Sequence, residues 1–290
     1  MRILPIYINS NHSNRNVPTS KGNYREICDS KDKLLYRTTT YFFRADLDWE
    51  AFFSLLKRKY KDVQKVNFIN HCCSNGEEAY SCIVGLISYF GEDANKFFPI
   101  IAKDFDEENI LKAKKHSPMD VTWDEISRCR DNTQTDIQMY FEIEKKESHD
   151  FVSKLFPKEN LKKNVVFSQG DILKDIEEMA DKNTVLMCRN FWPYLDKEKQ
   201  EVLAQKLEKK FDESSLVVIG NFDNEDADVN KLLMEHNFLP TSVKNVFQKS
   251  DKIPWISSAS CLTRKINIVK SNVVDTLERK FMIINDKNIL

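Results

Sequence analysis

Glycine is scarce in this chain, with only six among 290 residues. A dinucleotide fingerprint needs three within six positions, so that a pyrophosphate can approach a helix N-terminus. No such cluster exists, and a loop of that kind is unsupported. Cysteines number seven, an odd count with no C-x-x-C and no repeated spacing. Their spread predicts reduced thiols in a cytoplasmic protein. The five histidines stand singly, so no metal site is expected. Charge of one sign is lacking too: a net charge of −1 gives no global pull toward nucleic acid or an acidic membrane. No apolar run reaches the roughly 18 residues of a membrane span, and MRILPIYINS is too short a run for a signal-peptide core.

What is present suits a soluble enzyme-sized fold. Apolar residues make up 41%, enough for a real core, and charged residues make up 31%. The length predicts one α/β domain with additions. Lys57-Arg58-Lys59 reads as a solvated helix face rather than a binding patch.

Residues 1–37 are polar and read as an extended or partly ordered lead-in. A helix is expected at 48–60, where Trp49, Phe52, Phe53, Leu56 and Tyr60 fall at helical spacing behind Asp46 and Asp48 as caps. Short apolar runs at 66–71, 98–103, 165–169, 184–188 and 215–220 read as buried strands. Amphipathic helices at 77–90 and 197–211 lie between them. Strands alternating with helices imply parallel pairing and an open sheet covered on both faces. Residues 117–164 read as irregular, with charged helical pieces on the rim. Residues 251–290 are an extension of unassigned role, in which 273–284 fits a helix or a strand.

Ligands of such sheets bind beyond the carboxyl ends of the strands. The first strand runs into Ser74-Asn75-Gly76-Glu77-Glu78. Glu77 would repel a phosphate, whereas the positive end of the helix dipole tolerates it. A cationic ligand is then favoured, and S-adenosylmethionine carries an ammonium and a sulfonium. Equally, Glu77 and Glu78 fit ordinary first-turn glutamates. The second strand ends at Asp104, where a carboxylate commonly accepts two ribose hydroxyls. The third leads into Gln169-Gly170-Asp171-Ile172, suited to an adenine edge. The fourth ends in Cys188-Arg189-Asn190-Phe191-Trp192-Pro193-Tyr194, and a buried Arg-Asn pair there is costly unless bonded. Upstream, residues 38–44 (TTTYFFR) combine three hydroxyls, three aromatics and Arg44. They fit a β-prone packed segment, or a lid on which Arg44 holds a carboxylate by a bidentate bond.

Five segments, in order, resemble the CheR-type methyltransferases that methylate chemoreceptor glutamates. Thr40-Tyr41-Phe42-Phe43-Arg44 is similar to T-x-F-F-R, and Cys73-Ser74-Asn75-Gly76-Glu77-Glu78-Ala79-Tyr80-Ser81 to C-S-T-G-E-E-P-Y-S. Lys103-Asp104-Phe105-Asp106 resembles T-D-I-D. Gly170-Asp171-Ile172-Leu173 resembles V-N-L-L, and Cys188-Arg189-Asn190 with Tyr194 resembles C-R-N-x-x-x-Y. The resemblance implies a Rossmann-like class I S-adenosylmethionine-dependent methyltransferase fold, α/β, with a mostly parallel sheet and helices on both faces. It implies a methyltransferase domain over 38–250 and a cofactor site lined by Thr38, Thr40, Arg44, Glu77, Asp104, Asp171, Ile172, Arg189 and Asn190. Arg44 and Tyr194 would face the methyl-transfer centre.

There are departures as well. The resemblance predicts that the family's N-terminal helical domain is missing, since 37 polar residues stand in its place. Thr38 and Asp171 each replace an Asn, and Phe191-Trp192-Pro193 replaces aliphatic residues. Gly220-Asn221-Phe222-Asp223 replaces G-H-S-E, so the acceptor side is altered while the donor side is kept. The expected partner is a protein with an exposed glutamate, such as a chemoreceptor helix. A non-catalytic cofactor-binding module, a small-molecule carboxyl methyltransferase and a nucleic-acid amine methyltransferase are the alternatives; near-neutral charge weighs against the last.

Overall fold

A computed structural model describes residues 26–28, 34–145 and 152–250. The first element falls inside the polar lead-in: β1 (Glu26–Cys28) pairs antiparallel with β2 (Leu34–Arg37). Then comes α1 (Trp49–Lys59), which buries Trp49, Phe52, Phe53 and Leu56. Asp48, not Asp46, caps it by accepting from the Ala51 N–H at 3.0 Å. Lys57, Arg58 and Lys59 in its last turn complement the helix dipole.

The alternation follows as expected. β3 (Asn67–His71) leads into α2 (Glu77–Phe90), and β4 (Ile100–Asp104) into α3 (Glu107–Lys114). Residues 117–164 are not an irregular rim. They hold β5 (Met119–Thr122), α4 (Trp123–Thr133), β6 (Phe141–Lys145), β7 (Val152–Pro157) and a single turn, α5 (Glu159–Lys162). The three strands form a separate antiparallel sheet in the order β5-β7-β6. The main sheet resumes with β8 (Val165–Gln169), the short α6 (Ile172–Asp175), β9 (Thr184–Met187) and α7 (Lys197–Lys210). Last come β10 (Leu216–Val218), α8 (Asn221–Ala227), α9 (Val229–Glu235), β11 (Phe238–Pro240) and β12 (Val246–Lys249). The expected alternatives for 273–284 lie outside the described residues.

The seven-stranded sheet has the order β11-β12-β10-β9-β3-β4-β8. Five strands, from β8 to β10, run parallel, and β12 is antiparallel to both its neighbours. Two buried clusters flank it. On one face Trp49 and Phe53 of α1, Ile83 of α2 and Cys129 of α4 pack together. On the other, Ile172, Leu203 and Leu207 of α7 and Leu233 of α9 do so. Alternating residues of β3, β4, β9 and β10 feed the two clusters, which is why these strands read as continuous apolar runs, whereas the edge strand β8 buries Val165 and Phe167 on one face and exposes Val166. Among the described residues, no helix is long and apolar enough to cross a membrane, and no group of three or more His, Cys, Asp or Glu could hold a metal ion.

Candidate active site

Chain order along the sheet reverses at β3, with β4 and β8 on one side and β9 and β10 on the other. Loops leaving β3 and β9 part in opposite directions, which opens a crevice at their carboxyl ends. A cleft of about 440 Å³ is built there from the residues following β3, β9 and β10, from Asp120 of β5, and from 37–46.

The loop after β3 turns on left-handed residues: Cys72 (φ 62°), Ser74 (φ 50°) and Gly76 (φ 101°). Such conformations persist in side-chain-bearing residues only where the surroundings hold them. Here the Ser74 N–H donates to Asp104 Oδ2 at 2.7 Å, and its hydroxyl donates to the Thr38 carbonyl at 2.9 Å. Asp104 Oδ1 accepts from the Asp106 N–H at 2.9 Å. Burial pushes the Asp104 carboxyl up, against the pull of these two N–H groups. Gly76 lets the loop enter α2 without a side-chain cap, so Glu77 stands at the helix's positive end, buried and lining the cleft.

Residues 38–44 are not a free lid. Phe42 and Phe43 are fully buried. The Phe42 N–H donates to Glu125 Oε1 and the Phe43 N–H to Ser81 Oγ, both at 2.8 Å. The Phe43 carbonyl accepts from Arg128 Nε at 2.8 Å. Burying both rings fixes the segment, and only Thr38, Thr39, Thr40, Tyr41 and Arg44 of it reach the cleft.

The loop after β9 brings Asn190 and Tyr194 to the same cleft. Asn190 is left-handed (φ 61°); its N–H donates to Asp223 Oδ2 at 2.7 Å, and its Oδ1 accepts from the Phe222 N–H at 3.1 Å. Asp223 also accepts from the Trp192 and Gly220 N–H groups. Burial raises its carboxyl to about 6 despite those donors. The Tyr194 ring lies 5.8 Å from that of Phe222. Burial pushes the Tyr194 hydroxyl up, outweighing the opposite pull of Arg37 and Arg44, so it is a neutral phenol at physiological pH.

Asp46 ties these walls together. It forms a buried ion pair with Arg189, stands 3.6 Å from Arg44 Nε, and accepts from Asn190 Nδ2 at 3.1 Å and the Asn221 N–H at 3.3 Å. Arg189 also donates to Glu78 Oε2 at 2.5 Å and lies over the Trp49 ring.

Of the residues expected from sequence, Thr38, Thr40, Arg44, Glu77, Asn190 and Tyr194 line one cleft. Arg189 does not reach it, since its side chain is 1% exposed and taken up by Asp46 and Glu78. Asp104 sits behind the first loop, bonded to backbone. Asp171 caps α6 through the Leu173 N–H at 3.1 Å, and Ile172 is buried in the core. Arg37, Asp46, Asn75, Asp120, Asn221, Phe222 and Glu225 also line the cleft and were not expected there. Arg37, Asn75, Asn221 and Phe222 adjoin or lie within quoted motifs, which was the available signal. Asp46, Asp120 and Glu225 carried none.

The residues fit a zwitterionic, cationic ligand. Among the described residues Asn75 Oδ1 is a buried acceptor with no hydrogen-bond partner, and it lines the same cleft as the Glu77 carboxylate, which matches an ammonium or sulfonium. The Thr38, Thr39 and Thr40 hydroxyls line the same cleft and supply neutral donors and acceptors.

The fold and this crevice define a class I, Rossmann-like S-adenosylmethionine-dependent methyltransferase. The model of the family "CheR methyltransferase, SAM binding domain" matches residues 38–237, and the chain belongs to that family. Its cofactor is S-adenosylmethionine. No curated protein matches the chain. Solved structures similar to it include a TehB-like SAM-dependent methyltransferase from Corynebacterium glutamicum, 12% identical, with a TM-score of 0.37 over 70% of this chain and 88% of that one. Precorrin 8W decarboxylase from Methanobacterium thermoautotrophicum is 10% identical, with a TM-score of 0.35 over 69% and 90%. The glycopeptide N-methyltransferase MtfA complexed with sinefungin is 9% identical, with a TM-score of 0.32 over 62% and 53%.

Proposed function

We propose that this methyltransferase delivers its methyl group to a carboxylate, the side chain of a protein glutamate, in the cytoplasm. The observation that supports this reading is a cleft lined by two arginines and a neutral phenol and, among the described residues, by no histidine. His71, His116 and His236, the histidines among the described residues, lie outside the cleft. Asp223 is raised to about 6, but its oxygens face backbone N–H groups rather than the cleft. An amine or alcohol acceptor must lose a proton, whereas a glutamate with a reference pKa of about 4.3 is already the nucleophile.

When bound, S-adenosylmethionine supplies an electrophilic methyl on a sulfonium. Glu77 and Asn75 would hold its cationic end, with Thr38, Thr40 and Asn190 as neutral partners. Arg44 and Tyr194 then orient the acceptor oxygen, Arg44 by charge and Tyr194 by donating from its phenol. Catalysis in this scheme is alignment and exclusion of water, with no proton to move. The domain doing this work spans 38–250, with 1–37 and 251–290 as additions.

Transfer of labelled methyl from S-adenosylmethionine to a cell lysate tests the proposal. The expected product is protein-bound label released by mild alkali, as an ester requires. Alkali-stable label would point to an amine and overturn the carboxylate reading. Label on a small molecule would keep the chemistry and overturn the protein acceptor.

A further inference from the structure

Arg37 is not part of any motif quoted above, yet it stands at the cleft between two fixed points. On one side the Tyr36 hydroxyl donates to Asp106 Oδ2 at 3.2 Å, and on the other the Thr38 carbonyl accepts from Ser74 Oγ at 2.9 Å. Both anchors are distant in sequence, so β2 is held across the rim of the crevice and Arg37 is held with it. Its cross-strand partner is Glu26, which accepts from Arg37 Nε at 3.2 Å. Among the described residues nothing engages its two terminal nitrogens. A guanidinium held through Nε alone keeps a planar pair of donors for a second anion.

Arg44 has the same disposition. It reaches Asp46 through Nε at 3.6 Å, lies over the Tyr41 ring, and its terminal nitrogens are likewise unengaged among the described residues. Both arginines line the cleft together with Tyr194, and their positive charges pull its hydroxyl down against the effect of burial. Two cationic forks and one phenol donor thus line the same cleft.

We propose that Arg37 is a specificity-determining residue: with Arg44 and Tyr194 it seats the acceptor's carboxylate, so that an anionic acceptor is chosen over its neutral amide. The inference rests on the carboxylate reading above and adds a residue to it. A neutral amide in this seat would present its NH2 to a donor and leave one fork unmatched. Discrimination of this kind, from a donor with no acceptor to meet, is usually large.

The test is an NMR titration of the chain saturated with S-adenosylhomocysteine. The probes are N-acetylglutamate α-amide, whose only charge is its side-chain carboxylate, and N-acetylglutamine α-amide. Wild type is expected to bind the first about tenfold or more tightly than the second, and Arg37→Gln to lose most of that difference. Arg37→Lys, which keeps the charge but not the fork, should recover only part of it. Affinity for S-adenosylhomocysteine, measured by calorimetry on each variant, should stay within about twofold. Undiminished discrimination in Arg37→Gln would overturn the proposal, and so would an equal loss of S-adenosylhomocysteine binding, which would move Arg37 to the cofactor. If wild type binds S-adenosylhomocysteine but treats the two probes alike, the carboxylate reading fails with it. If it binds no S-adenosylhomocysteine, the cofactor assignment itself fails.

Discussion

Asp46 and Arg189, 143 positions apart, form an ion pair beneath the cleft in which the arginine side chain is 1% exposed and the aspartate 12%. Without Asp46, Arg189 would keep only Glu78 against its buried charge, and breaking such a pair costs far more than the pair contributes. Burial alone would raise the Asp46 carboxyl, but Arg189, Arg44 and the Asn190 and Asn221 donors outweigh it and hold it below the ordinary range. A depressed folded-state pKa gives stability that is present above the unfolded value of about 3.9 and lost as pH falls through the folded value. Asp46→Asn should therefore lower stability by about 3 kcal/mol near neutral pH, with the gap to wild type closing below about pH 4. Urea midpoints across that range check this. A gap independent of pH would show that the charge is not what matters.

Glu77 is expected to act on the cofactor and little on the fold. Its replacement by Gln keeps the size and the first-turn position but removes the charge that faces an ammonium or sulfonium. Calorimetry should show S-adenosylmethionine affinity reduced about 10- to 100-fold, since a charge-assisted bond is worth about 1.5–3 kcal/mol. The thermal midpoint should move little.

Gly220 packs against Asn190 so closely that a Cβ would lie 2.2 Å from Asn190 Oδ1. Gly220→Ala must displace the carboxamide that bonds Asp46 and the Phe222 N–H. A loss of about 1–3 kcal/mol in stability is expected. Cofactor binding should weaken as well, because Asn190 lines the cleft.

Glu125, in the first turn of α4, holds the TTTYFFR segment. Its Oε1 accepts from the Phe42 N–H and its Oε2 from the Thr122 N–H, each at 2.8 Å, in a capping box at the start of α4. Glu125→Ala removes both acceptors from a buried site and should cost about 2–4 kcal/mol. Hydrogen exchange at the Phe42 amide should speed up more than exchange in β3 or β9. Uniform acceleration would mean that the contact is not local.

The central strands and α1, α2 and α7 were readable because each writes its own period: continuous apolar runs for doubly buried strands, helical spacing for the rest. The small sheet was not. β5 (MDVT) and β6 (FEIEK) do alternate apolar and polar residues, but over only four and five positions, too short a run to stand out, and their shared partner β7 is brought in by pairings such as Met119 with Leu155. Nothing local announces a contact of that span. The same holds at the site. Glu77 and Tyr194, read from strand ends, and Arg44, read from the segment upstream, line one cleft, whereas Arg189 points inward because its partners Asp46 and Glu78 are there. Asp46, read as a helix cap beside Asp48, gains its role only when β9 and β10 fold next to it. Of the two readings of 38–44, the packed segment agrees with the structure and the lid does not, for a related reason: Phe42 and Phe43, which would exclude water from a moving flap, are themselves core.

The most direct test of how this cleft works is Arg44→Ala, assayed for S-adenosylhomocysteine affinity by calorimetry and for labelled-methyl transfer to the acceptor found in lysate. Arg44 lines the cleft with Tyr194 and is held by Asp46 and the Tyr41 ring. Transfer should fall about 100-fold or more, as positioning effects of this size allow, while the cofactor analogue still binds. Unchanged affinity together with unchanged transfer would contradict the assignment of this cleft as the place where the methyl group moves.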